Sequence, residues 1–239
     1  MPPICTVLLD RDGVINRNRP DYVKTWSEFQ FLPGARAAIA HLTRAGYRIF
    51  VVTNQACVGK GLLSEAALGA MHRRMVHEIG QAGGRVEAVL SCTHRAEDRC
   101  ACRKPAPGLL SQARDLHSVD LARAIFVGDS ANDMRAAAAI GMPAMLVCSG
   151  LGWHTARQLF AAPDLSFQIA LNLAHAVRLI LATNARRAEL PREAPWLRGL
   201  VAGAKALQEQ RVWATAGMAH LVGWFPACRR EDERVPTPS

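Results

Sequence analysis

Short apolar runs alternate with longer segments that carry apolar residues at helical spacing, and this alternation dominates most of the chain. Runs of this kind predict buried strands, and the segments between them predict amphipathic helices. Strands that alternate with helices form right-handed βαβ units, so we expect an α/β fold with a parallel sheet covered on both faces. The strands are predicted at 4–9, 47–54, 86–91, 124–129 and 143–148, and the helices at 33–46, 64–83, 107–118 and 131–141.

Polar residues stand where these predicted strands end. Asp10 ends the first strand, Thr53 and Asn54 end the second, and Asp129 ends the fourth. Ligands of parallel sheets bind at the carboxyl ends of the strands, so these side chains are expected to converge. The polar strand ends therefore predict a functional site.

The types of these residues point to phosphate chemistry. Asp10 and Asp12 flank a single residue after a buried strand, an arrangement that is costly unless a cation lies between them. An isolated pair of this kind is more simply a capped strand end. Asp129, with Asp133 one helical turn further on, adds carboxylates, and Lys104 adds an ammonium group. Together they predict a metal-dependent phosphoryl-transfer site.

A cluster of cysteines and one histidine follows the third predicted strand. Its pattern is C-x-H-x5-C-x-C, and it supplies four ligands, the number that a closed structural zinc site needs. Four protein ligands leave no open position, so the zinc is predicted to be structural and not hydrolytic. Its expected role is to fold the loop and hold Arg103 and Lys104 at the mouth of the site. The four predicted ligands are Cys92, His94, Cys100 and Cys102.

These motifs, in this order, resemble those of the haloacid-dehalogenase-like phosphatases, and the resemblance covers roughly residues 4–182. It implies a Rossmann-like, doubly wound sheet. Thr53 lies 43 residues after Asp10 and Lys104 lies 51 after Thr53, which leaves no room for a separate cap domain. Within the superfamily, the segments are similar to those of heptose bisphosphate phosphatases, and histidinol-phosphate phosphatases share the metal loop. The segments are DRDGVIN, VVTNQ, CTH…CACRKPAPG and GDSANDM.

The resemblance also implies roles for the site residues. Asp10 would attack phosphorus and form an aspartyl-phosphate, and Asp12 would protonate the leaving oxygen and then activate water. Mg²⁺ would be held by Asp10, Asp129 and the main-chain carbonyl of Asp12. Asp133 would orient Lys104 or a metal-bound water. The expected phosphate- and substrate-binding residues are Thr53, Asn54, Gln55, Arg103 and Lys104.

The implied reaction is removal of the 7-phosphate of D-glycero-D-manno-heptose 1,7-bisphosphate, a step toward nucleotide-activated heptose for lipopolysaccharide core. The enzymatic alternative is hydrolysis of histidinol phosphate in histidine biosynthesis. A distant alternative is a zinc-bearing nucleic-acid-binding module, but Pro105 and Pro107 stand where a base-reading helix would begin. The expected partner is a small phosphorylated sugar, with no nucleic acid.

Two features bear on specificity. Ala56 and Cys57 stand where the family usually has Ser-Gly, which removes a hydroxyl near the phosphate. Arg17 and Arg19, with Lys60, are candidates for holding a second phosphate of the substrate, although exposed arginines on a loop are an equally good interpretation.

Composition sets looser limits. The 29 Lys and Arg exceed the 20 Asp and Glu, giving a net charge of +9, but the cations are dispersed and are interpreted as solvated surface. Seven irregularly spaced cysteines argue against a disulfide framework and favour the cytoplasm. Neither a signal peptide nor a membrane span is recognised, and a monomer is expected.

The pattern of strands and helices stops near residue 182. We therefore predict a phosphatase domain over 1–182 and a C-terminal extension over 183–239. The extension is either a helical appendage or a poorly ordered segment, and its last residues are expected to be disordered. A role in binding a protein or a membrane surface stays open for this segment.

Overall fold

The computed structural model describes residues 3–159 and 165–189. Within these residues the strands form one parallel sheet in the order β3-β2-β1-β4-β5-β6. The predicted α/β fold is thereby confirmed. The strands are β1 (Thr6–Leu9), β2 (Arg48–Asn54), β3 (Ala88–Cys92), β4 (Ala124–Gly128), β5 (Ala144–Val147) and β6 (Gln168–Ala170).

Helices cover both faces of this sheet. Two short 3-10 helices, Trp26–Glu28 and Leu121–Arg123, accompany them. The start of the longest predicted helix is confirmed, since the Ser64 hydroxyl accepts a hydrogen bond of 3.1 Å from the Ala67 amide as an N-cap. The α-helices are α1 (Ala35–Arg44), α2 (Ala56–Gly59), α3 (Glu65–Gln81), α4 (Gly108–His117), α5 (Ala131–Ala138), α6 (Gly152–Leu159) and α7 (Leu173–Glu189).

The alternation of side chains along the central strand divides the core into two layers. Val7 and Leu9 point toward the layer formed with α1, α3 and α7, whereas Leu8 points toward the layer formed with α4, α5 and α6. All three side chains are fully buried. A strand that is buried on both faces is mostly apolar, which explains the continuous apolar run of Val7, Leu8 and Leu9.

Among the described residues, three α-helices, the two 3-10 helices and one strand were not predicted from the sequence. The strand β6 is short, and its first residue, Gln168, is exposed, so its apolar pattern is too brief to indicate a strand. The helix α2 is a single turn after Gln55, and α6 follows the loop around Gly150. The third helix, α7, is separated from the end of β6 by two residues.

The chain order places a topological switch at β1. The chain runs from β1 outward through β2 and β3, then returns to pair β4 on the other side of β1. The loops after β1 and β4 therefore diverge and leave a crevice at their carboxyl ends, where such sheets bind ligands. Asp10 sits at this crevice, and its amide donates to the Val127 carbonyl at 2.9 Å.

The segments between the site-bearing strands contain only the helices named above and connecting loops, so residues 3–159 hold no inserted cap domain. In the part of the chain that the structure describes, no helix combines the length and the apolar character needed to cross a bilayer. Helix α7 continues past residue 182 to Glu189. The remainder of the predicted extension lies outside the described residues.

Candidate active site

Three buried carboxylates meet at the crevice. Asp10 follows β1, Asp129 follows β4, and Asp133 lies in the first turn of α5. Each contributes a carboxylate oxygen to a group whose members all lie within 4.8 Å of one another. Negative charges this close repel strongly when they are buried, so the arrangement suits a hard divalent cation bound by oxygen ligands. The residues present thus fit the predicted Mg²⁺ site.

Two glycines allow the chain to close around Asp129. Gly13 and Gly150 both have left-handed backbone conformations, with φ of 85° and 60°. A Cβ atom at either position would collide with the Asp129 carboxylate. The Leu151 amide donates a 2.7 Å hydrogen bond to Asp129 Oδ2 from the same loop. Glycine is therefore required at both positions by geometry and by space.

Lys104 joins two of the carboxylates. Its side chain is 3% exposed, and its Nζ lies 2.8 Å from Asp10 Oδ1 and 2.7 Å from Asp133 Oδ1. The ammonium group also donates to the Val52 carbonyl at 2.9 Å, so all three of its donors are used. The burial of this cation is balanced by the two anions that it contacts.

Asn54 anchors the backbone that carries Lys104. Its Oδ1 accepts from the Lys104 amide at 3.1 Å, and its Nδ2 donates to the Lys104 carbonyl at 2.9 Å. The end of β2 thus fixes the loop after β3. Through these two hydrogen bonds Asn54 positions the backbone of Lys104, and its predicted contact with phosphate or substrate stays a prediction.

Asp133 is held by its own helix. Its Oδ2 accepts from the Ser130 hydroxyl at 2.6 Å and from the Ser130 amide at 3.0 Å, which forms a capping box at the start of α5. Ser130 was not predicted as a site residue, although a serine three residues before an aspartate at a helix start is a recognisable signal.

The surroundings of Asp10 and Asp129 disfavour the charged forms of both carboxyls. Burial raises the pKa of Asp10 to about 7 against the opposing effect of Lys104, with Asp133 and Asp12 adding to the rise. Burial also raises the pKa of Asp129 to about 8, followed by the repulsion of Asp10 and Asp133. Protons and the predicted Mg²⁺ would therefore compete for the same oxygens.

This competition predicts a pH-dependent stability. In the unfolded chain these two carboxyls ionise near pH 4, whereas the folded protein keeps their protons up to about pH 7–8. The folded state thus binds more protons, and stability falls as pH rises through this window.

Without added Mg²⁺, Tm should fall between about pH 5.5 and about pH 8.5, and Mg²⁺ should raise Tm more at the higher pH. Thermal unfolding with and without Mg²⁺ measures both, with Asp115→Asn as an exposed control. A Mg²⁺-induced shift independent of pH would contradict the prediction.

Asp12 lies in a different environment. Arg11 Nη2 donates to both of its oxygens at 2.9 Å, Asn16 Nδ2 donates to Oδ1 at 2.8 Å, and Gln55 Nε2 donates to Oδ2 at 2.7 Å. Burial opposes ionisation, but the Arg11 charge and these hydrogen bonds lower the pKa of Asp12 below its ordinary value. The two aspartates of the motif are therefore tuned in opposite directions, which is typical of groups with different catalytic tasks.

Arg11 and Asn16 were missed by the sequence analysis. Arg11 is 0% exposed, and its Nη1 lies 3.2 Å from His72 Nε2 on α3. Burial and the Arg11 charge lower the pKa of His72 to about 4, so the imidazole is neutral. Nothing near Arg11 in the sequence indicates a partner on α3.

Gln55 connects Asp12 with Thr53. Besides Asp12, its Nε2 contacts Thr53 Oγ1 at 2.9 Å, which leaves the hydroxyl proton of Thr53 free to donate elsewhere. The Cys57 thiol donates to Gln55 Oε1 at 3.6 Å. Cys57 therefore orients the amide of Gln55, at one of the positions where the chain departs from the usual Ser-Gly.

The four zinc ligands predicted from the sequence come together. Cys102 Sγ lies 3.2 Å from Cys92 Sγ, 3.4 Å from Cys100 Sγ and 3.2 Å from His94 Nδ1. A tetrahedron with Zn–S bonds of about 2.3 Å has edges of about 3.8 Å, close to these separations. The set of ligand atoms thus fits a tetrahedral zinc ion.

A cavity of about 230 Å³ opens over the carboxylates. It is lined by Asp10, Asp12, Asp129, Thr53, Asn54, Gln55 and Lys104. Arg19 and Arg103 also line it, and Tyr22 and Asn132 join its wall without having been predicted. Neither Arg17 nor Lys60 lines it. Lys60 is exposed, and its Nζ lies 5.3 Å from the centre of the Tyr22 ring.

The comparisons with known proteins agree with this geometry. The HAD-hydrolase-like family model matches residues 101–176. A D-glycero-beta-D-manno-heptose-1,7-bisphosphate 7-phosphatase of Pseudomonas aeruginosa is 42% identical over 149 residues, which are 62% of this chain and 84% of the relative. A protein of the same name from Bordetella bronchiseptica is 42% identical over 152 residues, 64% of this chain and 85% of the relative. A D-glycero-alpha-D-manno-heptose-1,7-bisphosphate 7-phosphatase of Mycobacterium tuberculosis is 40% identical over 133 residues, 55% of this chain and 70% of the relative.

A solved structure extends the agreement to the fold. The crystal structure of D,D-heptose 1,7-bisphosphate phosphatase from B. bronchiseptica, complexed with magnesium and phosphate, has a TM-score of 0.71 and 37% identity, over 75% of this chain and 99% of that one. The parallel sheet and the carboxylates at its switch point are those of a haloacid-dehalogenase-like phosphatase. Within that class, the chain belongs to the family of D-glycero-D-manno-heptose-1,7-bisphosphate 7-phosphatases. The resemblance found in the sequence is confirmed, and these relatives favour it over the histidinol-phosphate alternative.

Proposed function

We propose that the chain hydrolyses the 7-phosphate of D-glycero-D-manno-heptose 1,7-bisphosphate through an aspartyl-phosphate on Asp10. One observation carries the proposal: Asp10 lies beside Lys104, Asp129 and Asp12 at the switch point of the sheet. The relatives of the chain are named for this reaction. The cytoplasmic location and monomeric state expected from the sequence stay predictions.

Asp10 is the nucleophile in this proposal. One of its oxygens is paired with Lys104 Nζ at 2.8 Å, which holds the carboxylate in a fixed orientation. The attack forms a bond between a carboxylate oxygen and phosphorus, and the bond from phosphorus to the sugar oxygen breaks. Lys104 and the free hydroxyl proton of Thr53 stabilise charge on the phosphoryl oxygens.

Asp10, Asp129 and the main-chain carbonyl of Asp12 would hold Mg²⁺. The ion would supply positive charge that offsets the repulsion between the phosphate and the carboxylates. Asp133 orients Lys104, to which its Oδ1 is paired at 2.7 Å. These assignments use every buried carboxylate of the crevice.

Asp12 is the acid and base. It is ionised in the free protein, and a dianionic phosphate entering the cavity would raise its pKa, because negative charge next to a carboxylate favours the protonated form. The protonated carboxyl gives its proton to the departing sugar oxygen. The carboxylate that results then takes a proton from the water that attacks the aspartyl-phosphate.

The loop over residues 92–105 would be folded by a structural zinc ion. The cluster lies directly before Arg103 and Lys104, so the ion fixes the backbone that presents both cations. Arg103 Nη1 also donates to the His94 carbonyl at 3.3 Å. Arg103 and Arg19, which both line the cavity, are proposed to contact the part of the substrate that carries the second phosphate.

A substrate panel tests the function. We expect hydrolysis of heptose 1,7-bisphosphate with kcat/KM at least about 100-fold above that of histidinol phosphate or fructose 1,6-bisphosphate. Initial rates of phosphate release give these values, and both anomers are included because relatives are named for each. Asp12→Asn is the matched negative control. Faster hydrolysis of histidinol phosphate would overturn the assignment.

A further inference from the structure

Arg11 is a buried guanidinium between two residues of the active site. It is 0% exposed, and its Nε and Nη2 form a two-pronged contact with the Asp12 carboxylate at 2.9–3.2 Å. A guanidinium has five donors and no acceptor, so its other end also needs partners. In the described residues, those partners come from α3.

The partner on α3 is His72. Its Nε2 lies 3.2 Å from Arg11 Nη1, and the Met71 sulfur lies 3.7 Å from the same nitrogen. His72 is 8% exposed, and the proposed reaction does not use it. Because Arg11 can only donate, His72 Nε2 must accept, and the imidazole proton then sits on Nδ1. His72 is thus a buried acceptor that faces a buried cation.

The contacts of Arg11 are divided between its two ends. One end sets the position of the Asp12 carboxylate, and the other is fixed by His72 from a helix that packs against the sheet. The Phe29 ring, 5.8 Å away, flanks the guanidinium. Removing the acceptor at position 72 would leave a buried donor unpaired, and the guanidinium would tilt to find another partner.

We propose that His72 is a positioning residue for proton transfer: it orients Arg11, and Arg11 places the Asp12 carboxyl where it meets the leaving oxygen. The proposal rests on the proposed function in one respect, namely that Asp12 protonates the sugar oxygen. It assigns a task in the reaction to α3, which does not itself line the cavity.

The choice of leaving group separates this role from a structural one. A sugar alkoxide leaves only with a proton, whereas 4-nitrophenolate is stable enough to leave without one. The value of kcat/KM covers the steps up to departure of the leaving group. A displaced Asp12 therefore lowers kcat/KM for the sugar phosphate and spares that for 4-nitrophenyl phosphate. A general loss of folding lowers both equally.

The test compares His72→Met with His72→Gln. The two side chains have similar length, but only glutamine offers a strong acceptor to Arg11. For His72→Met we expect kcat/KM for heptose 1,7-bisphosphate to fall about tenfold, which is part of the roughly 10²–10⁴-fold that a correctly placed acid contributes. The kcat/KM for 4-nitrophenyl phosphate should stay within about twofold of the wild-type value. His72→Gln should recover to within about threefold of the wild type. His77→Met, at an exposed histidine of the same helix, is the control and should change neither value.

The outcomes are distinguishable. Equal losses on the two compounds, or no loss in His72→Met, would overturn the positioning role while leaving the proposed function intact. Failure of the wild type to hydrolyse the heptose bisphosphate would overturn the proposed function. In that case the role of His72 is still decided with another sugar phosphate that the wild type hydrolyses. The kcat/KM for that compound is then compared with the kcat/KM for 4-nitrophenyl phosphate. Melting curves of each variant exclude unfolding as the cause.

Discussion

Asp10→Asn is expected to lower phosphate release by at least about 1,000-fold, because an amide cannot form the aspartyl-phosphate and loss of a nucleophile removes a whole pathway. The substitution changes one oxygen to nitrogen and keeps the shape of the side chain. The readouts are phosphate release and trapping of the phosphorylated protein after rapid denaturation. The wild type should carry phosphate on Asp10, and the variant should carry none.

The same variant is expected to fold at least as well as the wild type without Mg²⁺. Asp10 is buried near Asp129 and Asp133, and its raised pKa shows that its charge is disfavoured there. A neutral amide removes that repulsion and leaves Lys104 paired with Asp133. Thermal unfolding measures this effect, and Asp115→Asn at an exposed position is the control. Appreciable activity in Asp10→Asn would overturn its assignment as nucleophile.

Cys102→Ser is expected to have the second large effect. It removes a ligand from the predicted zinc site, and three remaining ligands bind zinc much more weakly. The loop then loses the restraint directly before Lys104, whose ammonium contacts Asp10 at 2.8 Å. We expect kcat/KM to fall at least about tenfold and Tm by about 5–10 °C, the shift that a loss of a few kcal/mol produces in a domain of this size.

Elemental analysis tests the cause. The wild type should contain about one zinc per chain, and Cys102→Ser should contain little. Cys5→Ser is the matched control, since Cys5 lies at the opposite end of β1 from the site. A wild-type protein without zinc, or a variant that keeps full activity, would contradict the role given to this cluster. Retained Mg²⁺ affinity in the variant would show that the two metal sites act separately.

Much of the fold follows from local patterns. The run that contains β1 is apolar on both faces and ends abruptly at Asp10, so both its burial and its end were readable. The strand β6 was missed because three residues with one exposed side chain carry too little pattern. Helix α6 was missed because the sequence pattern does not mark where the preceding loop ends and the helix begins. Short elements owe their form to neighbours already in place, and the sequence does not show those neighbours.

The site likewise has residues that the sequence predicted and contacts that it did not predict. Asp10, Thr53 and Asp129 were predicted because parallel strands bring their carboxyl ends to one edge. Asn54 was predicted to contact phosphate or substrate, and the structure shows it clamping the Lys104 backbone. That contact joins two loops far apart in the chain. The sequence thus placed Asn54 at the site, whose cavity it lines, but its pairing with the Lys104 backbone depends on tertiary packing.

The amino-acid sequence determined which chemical groups reach the crevice and which four residues form the Cys/His cluster, because strand ends and short spacings need only local geometry to bring their residues together. The tertiary structure alone decided how those groups are paired: Lys104 between Asp10 and Asp133, and Arg11 between Asp12 and His72. Such pairs depend on how far a helix is rotated and shifted against the sheet. Those quantities are set by the packing of the whole core, and no short segment of the chain encodes them.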